Sequence, residues 1–337
     1  MAKAVSRKKA IPVRTDGTPM VRNCSVDRTL TILSDAWSFL VLREVYLGAR
    51  RFDQIQSVLR MPRGTLSNRL TQLLEAKVLG RASIAGGARF EYHLSESGLE
   101  LYLVMLAMLR FGDDWLAEGK APPLRLIHAT CGHECHPETI CSACRQPIDA
   151  LRVSYRDGPG AGLAPLATRP QRRRTAGVQA FERGRPSSVS RTLGILADRW
   201  TFLIVREFFF GVHRFDVMQE RLGIASNILT DRLNRLVSQK ILERVKYQDV
   251  PERYEYHLTV AGRDLYLPLI QMLRWGDRWL GFQKPLILHH MDCKADFEPI
   301  VACDHCHQAL HPHDMCYHLN YTKLRKDTPP ALLGEHN

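Results

Sequence analysis

Ser226-Asn-Ile-Leu-Thr-Asp-Arg-Leu-Asn-Arg-Leu-Val-Ser-Gln-Lys-Ile-Leu242 decides how this chain is read. Leu229, Leu233, Leu236 and Val237 fall at i, i+4, i+7 and i+8, one face of an α-helix. Ser226 stands where an N-cap belongs, its hydroxyl able to accept from a free backbone N–H. The other face carries Asn227, Thr230, Asp231, Asn234 and Arg235, groups that can reach base edges or phosphates. The pattern also occurs earlier: Leu66, Leu70, Leu73 and Leu74 form the stripe, with Thr65, Ser67, Asn68, Thr71 and Gln72 outside. One such stretch would be an ordinary amphipathic helix, and its repetition asks for more.

Working outward, the chain repeats itself. Arg28-Thr-Leu-Thr-Ile-Leu-Ser-Asp-Ala-Trp-Ser-Phe-Leu-Val-Leu-Arg-Glu44 reads onto Arg191-Thr-Leu-Gly-Ile-Leu-Ala-Asp-Arg-Trp-Thr-Phe-Leu-Ile-Val-Arg-Glu207. The register continues through Arg51-Phe52 and Arg214-Phe215, Phe90-Glu-Tyr-His-Leu94 and Tyr254-Glu-Tyr-His-Leu258, and Met108-Leu-Arg-Phe-Gly-Asp113 and Met272-Leu-Arg-Trp-Gly-Asp277. So long a period is a domain duplication, since solenoid repeats are much shorter.

Each copy reads in the same order. Arg28 to Tyr46 is apolar at helical spacing, with Trp37 and Leu40 toward a core, and Gly48 ends the helix. Arg50-Arg-Phe-Asp-Gln-Ile-Gln opens the second helix of a helix-turn-helix, followed by the stretch from Arg63 to Ala76. The pattern then alternates as a β-hairpin, turning at Gly86-Gly87 in one copy and at Gln248-Asp-Val-Pro-Glu in the other. Helix, turn, recognition helix and hairpin make a winged helix. Arg81, Arg89, Lys246 and Arg253 suit a wing along a phosphate backbone. A long apolar helix closes each copy, Glu100 to Leu116 and Arg263 to Leu280, as a dimer-type interface or a core element.

Composition agrees. The 337 residues suffice for two cores, with 45% apolar and 24% charged residues. Net charge +12 and pI near 9.4 favour a polyanionic partner. No apolar run is long enough to span a bilayer, and Met1 to Arg14 lacks a signal peptide's apolar segment, so a cytoplasmic protein without a membrane partner is expected, nucleoid-associated in a bacterium. Nine cysteines in such a chain point to metal or redox chemistry before disulfides.

These motifs are similar to the HxlR family of winged-helix transcriptional regulators, over about Asn23 to Leu116 and Ser187 to Leu280. The resemblance implies sequence-specific binding of a dimer to double-stranded promoter DNA; the expected function is transcriptional regulation, repression before activation. Members of that family usually carry one such domain; two fused here suggest a single-chain pseudo-dimer. The recognition helices differ, Met61-Pro-Arg-Gly-Thr-Leu-Ser-Asn against Ile224-Ala-Ser-Asn-Ile-Leu-Thr-Asp, so two unlike half-sites are expected. Base contacts fall to Arg63, Thr65, Ser67 and Asn68, and to Ser226, Asn227, Thr230 and Asn234. Arg51, Arg69, Arg214 and Arg232 would bind phosphates with the wing residues, Arg69 and Arg232 having a partly buried structural role as the alternative. Cys24 lies where some members carry a redox-sensing cysteine, its counterpart being Ser187; an inert thiol is the plainer reading. Further homodimerisation and a small-molecule or redox inducer are compatible with this picture.

A second constellation follows each winged helix. His128-x2-Cys131-x9-Cys141-x2-Cys144 recurs as His290-x2-Cys293-x9-Cys303-x2-Cys306. Cys-x2-Cys lets two thiolates clasp one tetrahedral ion, and the upstream His and Cys complete a structural Zn2+ site in each half. His133, Cys135 and His136, and His305, His307, His311, His313 and Cys316, are alternative ligands. A closed four-ligand site leaves no place for substrate, so no enzyme is expected.

The expected fold is α+β and mostly helical: two winged helix-turn-helix domains, each followed by a small zinc-ribbon-like β-hairpin. The boundaries are a basic tail (1–21), winged helix (22–120), Cys/His ribbon (121–153), basic Gly/Pro linker with Arg172-Arg-Arg174 (154–186), winged helix (187–284), ribbon (285–318) and tail (319–337). A protein-interaction adaptor that keeps the fold without specific DNA binding is the alternative.

Overall fold

Apolar stripes at helical spacing need a partner surface, and here much of that surface belongs to the other half of the chain. The computed structural model describes residues 20–33, 35–83, 90–165, 186–196, 198–321 and 334–335. The basic tail to residue 19, the Gly86-Gly87 turn with Arg89, and the Arg172–Arg174 run lie outside the described residues.

Strand β1 (Met20–Arg22) leads into α1 (Ser25–Ile32), α2 (Ala36–Tyr46), α3 (Phe52–Leu59) and α4 (Arg63–Glu75). A hairpin of β2 (Leu79–Ser83) and β3 (Phe90–Leu94) follows, then the long α5 (Glu96–Leu116). The stretch read as one helix from Arg28 to Tyr46 is two. Asp35 breaks it: extended backbone there lets its carboxylate accept the Ser38 N–H at 3.2 Å and cap α2. Gly48 follows the end of α2 with φ 90°, the left-handed conformation that glycine adopts without strain.

Beyond α5 come β4 (Leu124–His128), β5 (His133–Cys135), β6 (Glu138–Cys141), β7 (Val153–Asp157) and β8 (Leu163–Pro165). The stretch assigned to the linker therefore starts with two strands, because β7 and β8 find partners in β11 (Leu286–His290) and β1. The second copy runs α6 (Ser188–Ile195), α7 (Arg199–Phe209), α8 (Phe215–Leu222), α9 (Ser226–Ser238), β9 (Leu242–Gln248) and β10 (Arg253–Leu258). Its closing helix is interrupted, giving α10 (Val260–Asp264) and α11 (Tyr266–Trp279). Pro268 accounts for the break, since its ring crowds the carbonyl of Asp264 and it lacks the N–H that would bond there. Strands β12 (Ala295–Phe297), β13 (Pro299–Ala302), β14 (Met315–Leu319) and β15 (Gly334–Glu335) follow.

The closing helix of each copy lies against the first helix of the other. Gly112 in α5 lets the chain pass so near Ser188 that a Cβ would sit 2.2 Å from its carbonyl oxygen, and Gly276 in α11 does the same against Ser25 at 2.7 Å. Ser188 and Ser25 donate their hydroxyls to Asp113 and Asp277. Thr192 and Thr29 donate to the carbonyls of Met108 and Met272 at 2.6 and 3.0 Å. Residues at equivalent positions also face one another: Asp35 bridges Asp198, Phe39 stacks on Phe202 at 6.0 Å, and Thr139 in β6 pairs with Val301 in β13. Only positions near a two-fold relation between the copies can do this. The ribbons interleave too, β4 pairing with β14 and β7 with β11, both antiparallel.

Candidate nucleic-acid interface and cysteine–histidine clusters

In α4 and α9 the inner face is held by Leu66, Leu70 and Leu73 and by Leu229, Leu233 and Leu236, all essentially sealed from water. Each such leucine contributes about 2 kcal/mol by burial, which fixes the helix rotation. Arg63, Ser67 and Asn68 are thereby left exposed, with Thr65 half-buried; Ser226, Asn227, Thr230 and Asn234 are exposed on α9. Ser226 is the first residue of α9 rather than its N-cap, which is Ala225; the hydroxyl is thus left outside the cap. Thr230 turns its hydroxyl back to the Ser226 carbonyl at 2.9 Å. Arg63 donates to Gln56 at 3.1 Å.

The basic residues divide into two groups. Arg51 and Arg214 are surface groups, within 3.5 Å of Glu91 and 2.9 Å of Asp216. On the second hairpin Arg253 is exposed, while Lys246 bonds Glu252 at 2.8 Å and Asp249 at 3.0 Å. Those hydrogen bonds raise the lysine's pKa above its ordinary value, so this cation stays charged. Arg69 and Arg232 instead turn inward onto the helix-capping carboxylates: Arg69 Nε donates to Asp35 at 3.0 Å and Arg232 Nε to Asp198 at 2.7 Å. Their guanidinium groups tie the recognition helix to the preceding cap, the structural role left open above. Arg60, exposed at the C-cap of α3, and Arg221, in the last turn of α8 and 3.7 Å from Glu207, are further arginines ahead of α4 and α9.

The eight predicted Cys and His residues do come together, in a different pairing. His128 and Cys131 meet Cys303 and Cys306, and Cys141 and Cys144 meet His290 and Cys293, with ligand atoms within 4.8 Å of one another in each cluster. The expectation that each half completes its own site is thus corrected. Because β6 pairs with β13 and β4 with β14, the Cys-x2-Cys turn of each ribbon is carried to the His-x2-Cys turn of the other. Spacing could not reveal this, since both pairings use the same intervals. Either cluster could hold one metal ion.

Cys24 is the N-cap of α1 and only 2% exposed, so it lacks the exposure a sensor thiol needs. It borders an apolar cavity with Phe209, Tyr266 and Ile270; an equivalent cavity beside Ser187 is lined by Tyr46, Tyr102 and Leu106. Among the described residues no helix is long and apolar enough to cross a membrane.

Paired helix-turn-helix units with hairpins, exposing one polar helix face each, define a protein of the helix-turn-helix regulator class. The family described as HxlR-like helix-turn-helix matches residues 32–120 and again 195–284, and the chain belongs to it. An uncharacterized HTH-type transcriptional regulator of Mycobacterium tuberculosis is 38% identical over 137 residues, 40% of this chain and 87% of that relative. One from Synechocystis is 35% identical over 101 residues, 30% of this chain and 75% of the relative. A solved Pseudomonas aeruginosa chain, provisionally named a transcription factor, is 41% identical with a TM-score of 0.23; the match spans 26% of this chain and 60% of that one.

Proposed function

We propose that the chain is a sequence-specific DNA-binding transcriptional regulator, most simply a repressor, acting as a single-chain pseudo-dimer of winged helices. The observation that carries this reading is the exchange between copies: each closing helix packs on the other copy's first helix, and Asp35–Asp198 and Phe39–Phe202 meet as equivalents. A regulator spanning about half this chain, such as the mycobacterial relative, would need two molecules to build the same arrangement. The net charge of +12 supplies the sequence-independent part of DNA affinity. Arg63, Thr65, Ser67 and Asn68 would read one half-site, and Ser226, Asn227, Thr230 and Asn234 another. Arg51, Arg214, Lys246, Arg253 and Arg89, the last outside the described residues, would follow the phosphates. Arg69 and Arg232 would position rather than touch.

Selection of bound sites from random duplex DNA at near-physiological salt tests the reading. Two unlike half-sites at a fixed spacing are expected. A perfect palindrome bound by one chain would overturn the division of labour. Sequence-blind, salt-sensitive binding alone would favour an adaptor. A promoter–reporter assay then separates repression from activation.

A further inference from the structure

Eight side chains at two equivalent places carry a claim beyond DNA binding. We propose that each cysteine–histidine cluster holds one structural Zn2+ ion, bound by His-x2-Cys from one half and Cys-x2-Cys from the other, so that two ions rivet the halves together.

The distances suit it. A tetrahedral ion with Zn–S of about 2.3 Å and Zn–N of about 2.0 Å sets S···S near ~3.8 Å and N···S near ~3.5 Å. In the first cluster Cys131 Sγ is 3.9 Å from Cys303 Sγ, and His128 Nδ1 lies 3.5 Å from Cys131 Sγ and 3.2 Å from Cys306 Sγ. In the second, Cys141 and Cys293 are 3.9 Å apart, and His290 Nδ1 lies 3.3 Å from Cys144 and 3.4 Å from Cys293. Both histidines offer Nδ1, and His290 Nε2 lies 3.5 Å from an Asp292 carboxylate oxygen.

The backbone supplies an independent sign. The residue after the second ligand of all four turns has positive φ: Gly132 at 72°, Arg145 at 63°, Lys294 at 55° and His307 at 56°. Three are not glycine, and each such conformation costs about 1 kcal/mol. The turns curl so that Arg145 and His307 donate their N–H to the carbonyls of Cys141 and Cys303 at 2.9 Å, and the Ala143 N–H points at Cys141 Sγ at 3.3 Å. These are knuckles that aim two side chains at one point. All nine cysteines are free thiols.

Other donor sets are less apt. Cys131 with His133 and His305, and Cys135 with Cys303 and Asp304, also lie close. Their equivalents in the duplication are Ala295 and Ala143, and Phe297 and Ser142, so neither set is repeated. The eight residues of the proposed sites are, with the same burial in both. Three thiolates and an imidazole select zinc over harder cations and leave no open position, which makes the ions structural.

Metal analysis of the full chain, purified without chelator from zinc-supplied cells, should give two ions per chain; an absence of bound metal would overturn the proposal. Paired substitutions then test the sharing. Cys131→Ser with Cys306→Ser strikes one shared site and should leave one ion. Cys131→Ser with Cys144→Ser strikes both and should leave none. The opposite result would assign each ion to a single half and overturn the sharing. Should a variant fail to fold, the unsubstituted chain loaded with NMR-active cadmium answers the same question. Scalar couplings should link one ion to the β-protons of Cys131, Cys303 and Cys306 and the other to those of Cys141, Cys144 and Cys293. Coupling of one ion to Cys131, Cys141 and Cys144 together would refute it.

Discussion

The seam between the copies and the two outward recognition faces have fared differently since the chain was duplicated. At the seam, equivalent positions keep the same chemistry: Gly112 and Gly276, Asp113 and Asp277, Ser188 and Ser25, Thr192 and Thr29. On the recognition helices the inward positions also match, Leu66 with Leu229, Leu70 with Leu233, Arg69 with Arg232. The outward ones do not: Arg63 stands opposite Ser226, Gly64 opposite Asn227, Asn68 opposite Asp231 and Thr71 opposite Asn234. The seam is a close-packed surface where one added methylene is felt. A solvent-facing position carries no such constraint, so reading surfaces can diverge while the frame that spaces them stays fixed.

The largest effect that would break this comparison is expected at Gly112. Helix propensity alone favours Gly112→Ala by about 1 kcal/mol. A Cβ 2.2 Å from the Ser188 carbonyl, however, forces the crossing apart, and overpacking of that kind costs about 3 kcal/mol or more. A net loss of roughly 2–3 kcal/mol is expected from urea unfolding. Gly276→Ala, with its nearest clashes at 2.7 Å, should lose less. Equal stability of Gly112→Ala and the parent chain would mean that the halves are not held in this crossing.

The recognition helices were legible in the sequence because a buried stripe and its polar back follow from 3.6-residue periodicity, and the duplication doubled the signal. The division at Asp35 was not. Its carboxylate competes for a backbone N–H in a stretch whose apolar spacing runs through uninterrupted. The eight Cys and His positions were visible from their intervals, yet their partners were hidden, because strand exchange between ribbons is a tertiary event that leaves local spacing untouched. The same limit applies to Arg69: its helical position shows that it flanks the buried stripe, but not that Asp35 waits there.

The recognition faces sharpen the comparison next. Asn68→Ala should weaken binding by about 1–2 kcal/mol and relax preference at one half-site only, with folding stability within about 0.5 kcal/mol of the parent. Thr230→Ala should act on the other half-site. Identical effects on both half-sites would undo the assignment of one reader to each. Arg69→Ala should behave in the reverse way: it frees the Asp35 carboxylate, costs about 1 kcal/mol of stability, and leaves base preference unchanged. A changed preference at one base position would place Arg69 among the readers.

The smallest effect probes the seam through pH. Burial pushes the Asp113 carboxyl up to about 6, against the opposing Ser188 hydroxyl, His136 and Arg191. A folded pKa above the unfolded value means that the protonated form is the one the fold favours. Its contribution is therefore fully present below about pH 4 and is lost as pH rises through about 6. Asp113→Asn keeps an acceptor for Ser188 and never ionises. Relative to the parent, its stability should rise by about 1 kcal/mol between about pH 4 and pH 7, the full shift being reduced because the carboxyl is only half-buried. Most of the change should fall between about pH 4 and pH 6, where the unfolded carboxyl is already ionised and the folded one still holds its proton. Parallel stability–pH curves for the two proteins would show that Asp113 ionises as freely as a surface group, and hence that the contact with Ser188 opens in solution.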